Sequence, residues 1–491
     1  MKRLILNIAI ALGVLFGASA CDGFLDKVPT EYVVAESAMV TLADAKVVAN
    51  GLYTDLKWYT MYGSYIPYMG DMRGGNLYPT NNSGTGSVIY RMDYNSVQNT
   101  YFGMWQNYYS TIMRANTLIK NIETIPADNS KDQAVKNDVL GQALAIRALC
   151  HWDIARLYGY PYMKDNGASL GAVILTTVVA PSESKLPRNT VAETYAQVEK
   201  DLAEALKLLS TEKNDGHFNY WAARMLQAKV ALYKGDWQTA FTAANDVVEN
   251  SPYRMVPNGE YLAYWGKQCD DESVLEFLVT NNGDIDSDGG FYTMYHNMWF
   301  DDKGAGADII PSKAWKDLFA DTPDDVRIQM LAYDDPETGV VKSGEYWLKK
   351  FIGNKDLGYT FRRNNPRIFR ITDAYLMAAE AALELGGKQD IADDYLNAVI
   401  KRANPSATEV IATIDLVMKE RQKEFIGEGH LFFDIIRRGG KVVKDMSLDD
   451  RDFAGVKRQE IDWNDTRVVL PISQTERLLY PELQQNPGYD E

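Results

Sequence analysis

Cysteine and histidine are scarce in this chain of 491 residues, which contains 3 Cys and 4 His. So few of these ligands exclude a cysteine-rich zinc domain and a small disulfide scaffold. The four histidines also lack the paired spacing of a histidine-based zinc centre; they are His151, His217, His296 and His430. The fold and the function must therefore rest on other residue types.

Positive charge is also in deficit, with 51 Lys+Arg against 67 Asp+Glu and a formal net charge of −16. A phosphate backbone requires a cationic surface, so nucleic acid is not expected as a partner. The hydrophobic share of 46% and the charged share of 24% are those of an ordinary globular protein. Aromatic residues are plentiful, and the 30 Tyr suit surfaces that contact water and apolar groups together.

The first 20 residues show the pattern of a secretory signal peptide. Two cations precede an apolar run from Leu4 to Phe16, which would form a helix of about 20 Å, too short for a bilayer core of about 30 Å. Small residues follow up to Ala20, and Cys21 comes next. This junction resembles the lipobox of bacterial lipoproteins, in which the cysteine is acylated. The alternative is simple secretion with Cys21 left free.

The mature chain is predicted to be anchored to a membrane through lipid on Cys21, because no later segment is long and apolar enough to span a bilayer. Residues 21–35 are predicted to form an extended tether. Cys150 lies in a helical pattern and is predicted to be a small core residue. A disulfide between Cys150 and Cys269 is compatible with an oxidising compartment.

Apolar residues recur with helical spacing through much of the mature chain. The spacing predicts helices from about residue 37, over 101–122 and over 131–158. Thr190 followed by Glu193 predicts a capping box at the start of a further helix. The chain is therefore expected to be mostly α-helical.

Residues 217–252 match the spacing of a tetratricopeptide unit, a helical hairpin of about 34 residues. Small residues such as Ala228 and Ala240 would let two antiparallel helices approach closely, and the aromatic Trp237 would fill the gap between them. Residues 371–404 repeat this pattern with irregular spacing. We predict a repeat-type helical scaffold; the alternative is a generic helical hairpin.

Two stretches rich in Gly and Asn, residues 70–99 and 281–310, are predicted to be long surface loops. The second contains Asp284, Asp286 and Asp288 before a glycine, an alternation that opens like a calcium-binding loop. The bidentate Glu of an EF-hand is missing, and a solvated turn is the alternative. No other cofactor site is predicted.

Catalytic motifs are weak in this sequence. Residues 167–171, with Ser169 between two glycines, fit the string of a nucleophile elbow, which needs a strand before the serine and a helix after it. A loop precedes Ser169 here and a β-like run follows it. Walker loops and dinucleotide glycine fingerprints do not occur in the sequence. No residue is predicted to be catalytic.

Five local motifs follow one another along nearly the whole mature chain. They are Cys21–Asp26 with Pro29, Trp105–Asn116, Arg147–Gly159, Glu420–Arg437, and Pro471–Ile472 with Asn486–Tyr489. The ordered set resembles the SusD/RagB family of Bacteroidetes outer-membrane lipoproteins. The group at 420–437 is the most specific, although the family usually has Arg where this chain has His430.

The charge pattern of residues 420–437 also predicts a role, independently of the resemblance. Glu420 and Glu424 share one helical face, with Arg421 beside them. A charged cluster of this kind next to a helical array is more often a buried ionic clamp than a reactive site. We predict a structural role for these residues.

The resemblance implies a tetratricopeptide-like, right-handed helical repeat scaffold with a loop-rich C-terminal part, forming one SusD-like domain over residues 36–491. Its parts would be helical over about 36–250, loop-rich over about 251–365, and helices with a tail over about 366–491. The resemblance also implies a non-enzymatic, lipid-anchored protein of the outer membrane that faces the cell exterior. Such a protein captures glycans and delivers them to a SusC-like TonB-dependent outer-membrane transporter. A peptide-binding protein on the same scaffold is one alternative, and a glycoside hydrolase is another.

A glycan site needs exposed aromatic side chains beside hydrogen-bonding groups, because sugars stack their C–H faces and bond through their edges. The two predicted loops supply both. The ligand-binding candidates are Asp71, Arg73, Asn76 and Tyr78 in the first loop, and Tyr292, Tyr295 and Trp299, with Asp286 and Asp288, in the second. Trp299 is the strongest single candidate; the alternative is that each aromatic anchors its own loop.

Overall fold

The structure is a computed structural model. It describes residues 39–58, 60–79, 84–97, 103–179, 186–279, 309–332, 347–348, 350–351, 364–446 and 458–489. The predicted signal peptide, the acylated Cys21 and the tether lie outside the described residues.

Helices dominate the described chain. In order they are α1 Leu42–Leu56, α2 Tyr65–Gly74, α3 Gly84–Arg91, α4 Gly103–Ile122, α5 Ser130–Tyr158, α6 Tyr162–Asp165, α7 Val191–Leu208, α8 Tyr220–Lys234, α9 Trp237–Asn250, α10 Tyr261–Tyr264, α11 Lys313–Asp317, α12 Ile371–Leu385, α13 Gln389–Ala403, α14 Ile414–Glu424, α15 Leu431–Arg437 and α16 Gln474–Leu479. Short 3₁₀ turns occur at Asn258–Glu260, Val326–Met330 and Thr466–Val468.

The long helices pack in sequence as one array. α1 and α4 pack together, α5 packs between α4 and α7, and α8 packs against α7 and α9. The array continues from α9 to α12 and from α12 to α13. This succession of neighbouring helices confirms the mostly α, repeat-type scaffold.

The hairpin of α8 and α9 shows why the residue spacing at 217–252 predicts a helical repeat unit correctly. Ala228 and Ala240 are fully buried where the two helices meet. Gly235 ends α8 with a φ of 80°, a left-handed conformation that suits glycine, and Asp236 caps α9 by accepting a hydrogen bond from the Thr239 N–H. The predicted second unit at 371–404 is likewise a helical pair, α12 and α13.

Local signals also gave correct helix boundaries. Thr190 and Glu193 form the predicted capping box, with each side chain bonded to the other residue's backbone. The helices predicted over 101–122 and 131–158 are α4 and α5, within two residues at each end.

The strands are short and join segments that are distant in sequence. They are β1 Leu77–Pro79, β2 Ser273–Glu276, β3 Ile309–Pro311, β4 Leu331–Ala332, β5 Trp347–Leu348, β6 Arg367–Arg370, β7 Val442–Asp445 and β8 Arg458–Ile461. They pair antiparallel as β1 with β3, β2 with β6, β4 with β5 and β7 with β8. In the first sheet Leu77 lies opposite Pro311.

Both described cysteines are free thiols, with Cys150 buried and Cys269 half-buried. The disulfide that the sequence allowed is therefore not formed in this structure. Among the described residues, no helix combines the length and the apolar character needed to cross a bilayer.

Candidate functional site

Much of the first predicted loop, residues 70–99, is regular structure in α2, β1 and α3, and residues 92–97 are irregular as predicted. Asp71 and Arg73 lie on α2, and Tyr78 lies in β1. The glycines that suggested a loop instead allow close packing against the C-terminal part of the chain. A Cβ on Gly70 would lie 2.0 Å from the carbonyl carbon of Gly429, and one on Gly74 would lie 2.8 Å from the Leu431 side chain.

Asp71 connects α2 to the turn before α15. Its Oδ2 accepts a hydrogen bond from the Gly429 N–H at 2.7 Å, and its Oδ1 accepts one from Asn76 Nδ2 at 3.3 Å. The side chain is fully buried. Burial raises the pKa of Asp71 to about 7, although the Gly429 N–H favours the ionised form.

Arg73 and Asn76 are engaged by other C-terminal residues. The Arg73 guanidinium lies 3.7 Å from the centre of the Phe432 ring and donates to the carbonyl of Val468 at 2.5 Å. The Asn76 Oδ1 accepts from Gln422 Nε2 at 3.0 Å. These contacts hold α2 and β1 against the C-terminal motif.

The exposed fraction of Asp71, Arg73, Asn76 and Tyr78 is at most 5% each. The expectation of a ligand-accessible surface loop was therefore wrong for these four residues, because their side chains face the protein interior. Their role as ligand contacts stays a prediction, and we leave them out of the site proposed below.

The candidates of the second loop lie outside the described residues. These are Tyr292, Tyr295 and Trp299, together with the predicted calcium ligands Asp284, Asp286 and Asp288. Within the part of the chain that the structure describes, no group of three or more His, Cys, Asp or Glu side chains could hold a metal ion.

The described chain fixes both ends of the segment that carries those candidates. Before it, the Leu278 carbonyl accepts from Lys57 Nζ at 2.8 Å, and the Val279 N–H donates to Asn365 Oδ1 at 2.8 Å. After it, β3 pairs with β1, and the Ser312 N–H donates to the Asn76 carbonyl at 2.8 Å. We call these contacts the loop frame.

The loop frame links the two predicted loops, since Asn76 and β1, which lie within the first, contact the residues at the end of the second. Lys57 and Asn365 were not singled out by the sequence, because a contact of a side chain with a distant carbonyl or N–H leaves no local pattern. The glycines at 70 and 74 are also a signal for close backbone approach, which a loop prediction does not use.

The motif at 420–437 forms a buried ionic cluster. Glu424 accepts from Arg327 at 3.1 Å, from Arg370 at 2.9 Å and from Arg402 at 2.7 Å. Glu272 completes the cluster with ion pairs to Arg370 and Arg402. Burial disfavours a charge here, but Arg402, Arg370 and Arg327 hold the pKa of Glu424 well below its ordinary value.

A second group of ion pairs extends the cluster to α15. Arg421 contacts Asp373 at 2.7 Å and Asp434 at 2.8 Å. His430 stacks on the Phe425 ring with the ring centres 4.4 Å apart. Burial lowers the pKa of His430 well below its ordinary value, and Lys229 adds to this effect, so the ring is neutral at neutral pH. These contacts confirm the predicted ionic clamp.

The raised pKa of Asp71 makes a prediction about stability. Because the folded protein binds a proton here at pH values where the unfolded chain does not, this group's stabilising contribution falls as the pH rises toward 7. We expect the free energy of unfolding of the wild type, measured relative to Asp71→Asn, to fall by roughly 1 kcal/mol per pH unit between pH 4.5 and 7 and to level off above that. Urea unfolding of both proteins at half-unit pH steps measures this. A difference that stays constant with pH would contradict the prediction.

Two family models match this chain, one in its C-terminal part and one in its N-terminal part. The sequence model of the SusD family matches residues 276–489, and a second, described as "Starch-binding associating with outer membrane", matches residues 24–232. A SusD superfamily protein of known structure from Bacteroides thetaiotaomicron is 32% identical, covers 91% of this chain and 100% of its own, and superposes with a TM-score of 0.81.

Two further relatives are more distant. SusD-like protein P25 from Formosa agariphila is 25% identical over 88% of this chain and 90% of its own length. A laminarin-binding SusD-like protein of known structure is 22% identical, covers 92% of this chain and 100% of its own, and has a TM-score of 0.71. The helical array thus belongs to a known class of scaffold. The chain is a member of the SusD/RagB family, as the ordered motifs predicted.

Proposed function

We propose that this protein is a cell-surface glycan-binding lipoprotein that delivers oligosaccharide or polysaccharide to a SusC-like TonB-dependent transporter in the outer membrane. The observation that carries this proposal is the match of residues 24–232 to the family described as starch-binding and associating with the outer membrane. The predicted signal peptide and the lipid anchor at Cys21 are consistent with that location.

The charged residues of the motif at 420–437 are buried and paired, which suits a binding role. The carboxylates of Glu424 and Asp434 are buried and held in ion pairs with arginines. The function proposed is therefore capture without turnover of the glycan.

The loop frame supports a binding site on the segment 280–308. Its three hydrogen bonds and the pairing of β1 with β3 fix the residues on either side of that segment, which lowers the entropic cost of presenting a ligand surface. We propose that Trp299, with Tyr292 and Tyr295, supplies the aromatic surface for a sugar ring. Calcium held by Asp284, Asp286 and Asp288 is a further part of this proposal.

Native gels that contain starch, laminarin, xylan, mannan or pectin test the proposal, since a protein that binds the polysaccharide migrates more slowly. We expect retardation by at least one polysaccharide. Titration calorimetry with the matching oligosaccharide, repeated with calcium and with a chelator, then gives the affinity and its calcium dependence.

Trp299→Ala should weaken binding about tenfold, because removal of one stacking surface costs about 1.4 kcal/mol. Trp299→Phe keeps an aromatic plane and is the matched control, which should retain most of the affinity. Unchanged affinity in Trp299→Ala would refute the site assignment alone. Binding of peptides with no retardation by any glycan would refute the glycan proposal itself.

A further inference from the structure

A cleft of about 360 Å³ lies between α4 and the C-terminal helix α16, and it shares no residue with the loop frame. This volume is within the range of small-molecule sites, about 300–1,000 Å³. Aromatic side chains line it from both sides: Trp105 and Tyr109 on α4, and Tyr480 directly after α16. Aliphatic side chains complete the lining.

Three polar side chains also line the cleft. Gln106 and Ser110 are exposed and lie one turn apart on α4, and Glu476 is half-buried on α16. Within the described chain, the side chains of these three residues have no hydrogen-bond or ion-pair partner. Burial raises the pKa of Glu476, as expected for a carboxylate whose charge has no cation to balance it. The cleft therefore offers acceptors and donors that the protein itself does not use.

The walls of the cleft are held in place by contacts behind them. The Tyr109 hydroxyl oxygen accepts from the Val173 N–H at 2.7 Å. The Gln474 N–H donates to the Ser96 carbonyl at 2.8 Å and fixes the start of α16. A cleft with fixed walls loses little conformational entropy when a ligand enters.

The lining chemistry selects one class of ligand. A neutral sugar has apolar C–H faces for Tyr109 and Tyr480 and hydroxyl groups that can donate to the Glu476 carboxylate, which is an acceptor only. No Lys or Arg is among the described lining residues, so a uronic acid or a sulfated sugar would meet the Glu476 charge without compensation.

We propose that this cleft is a second glycan-binding site and that it takes a neutral oligosaccharide. The inference rests on the proposed function and adds to it a location and a charge selectivity. Two sites on one chain would also bind a long polysaccharide more tightly than either site alone, because the second contact is intramolecular.

Methyl NMR of the lipid-free mature chain, labelled at Met and Leu, tests the site directly. The probes are maltohexaose, laminarihexaose, cellohexaose, xylohexaose and mannohexaose, with hexagalacturonate as the acidic comparison. We expect at least one neutral probe to shift the methyl signals of Met113 and Leu479, which line the cleft, and to leave that of the buried Met225 on α8 unchanged. Absence of any shift with all five neutral probes, or an equal shift with hexagalacturonate, would overturn the proposal.

Glu476→Gln should weaken the binding seen at those methyl groups at least tenfold, because it removes the charged acceptor. Glu482→Gln is the matched control, an exposed carboxylate on the same C-terminal segment, and should bind like the wild type. Equal affinity in Glu476→Gln would overturn the proposal. Retardation in polysaccharide gels without shifts in the cleft would refute this inference and leave the proposed function standing, whereas failure of every glycan in both assays would refute both.

Discussion

Glu424→Gln is expected to lower the free energy of unfolding by about 3–5 kcal/mol. The substitution keeps the size of the side chain and removes its charge. Arg327, Arg370 and Arg402, which all contact Glu424 and are all buried, then lack part of the negative charge that balances them. The midpoint of urea unfolding, followed by circular dichroism, measures the loss.

Glu409→Gln is the matched control for this variant. Glu409 also forms an ion pair, with Lys401, but its side chain is 69% exposed, and water and salt screen such pairs. We expect no measurable change in the midpoint. A loss below about 1 kcal/mol in Glu424→Gln would show that the other carboxylates of the cluster balance the three arginines without Glu424. These carboxylates are Glu272, Asp325, Glu420 and Glu428.

Gly70→Ala is expected to destabilise the protein by at least about 3 kcal/mol. The new Cβ would lie 2.0 Å from the backbone of Gly429, and backbone atoms on both sides cannot move aside without separating α2 from the turn before α15. The Asp71 bond to the Gly429 N–H would be lost in the same movement. Thermal and urea unfolding both measure the effect.

Gly51→Ala provides the comparison, since Gly51 lies inside α1 and a Cβ there has nothing within 4 Å. Alanine favours the helix over glycine by about 0.5–1 kcal/mol, so this variant should be slightly more stable than the wild type. Two substitutions of the same chemical kind are thus expected to act in opposite directions. A stability loss in Gly70→Ala that is no larger than about 1 kcal/mol would contradict the close packing of α2.

The parts of the fold that the sequence predicted well depend on neighbours in the chain. The capping box of Thr190 and Glu193 involves residues three apart, and the hairpin of α8 and α9 depends on small residues within one repeat. Such signals are read from a single helical turn or a single hairpin. Their physical cause is local, so the prediction and the structure agree.

The part that the sequence mispredicted depends on residues far apart. The glycines near 70 predict a loop, because a glycine in a loop and a glycine under a packed backbone have the same local pattern. The difference between them is the presence of Gly429, which no periodicity can reveal. The ionic clamp was recognised from Glu420, Glu424 and Arg421, but its partners Arg327 and Arg370 come from other segments and could not be named in advance.

The hydrogen bond between Asp71 and Gly429 joins residues that are 358 positions apart. At synthesis rates of about 5–20 residues per second, α2 emerges roughly 20–70 s before the turn that covers it. During that interval its glycine-rich face is uncovered, and the Asp71 carboxylate lacks the Gly429 N–H. α2 therefore cannot reach its final packing until the C-terminal motif has been made, and a chain that stops short of residue 429 is expected to depend on chaperones for its solubility.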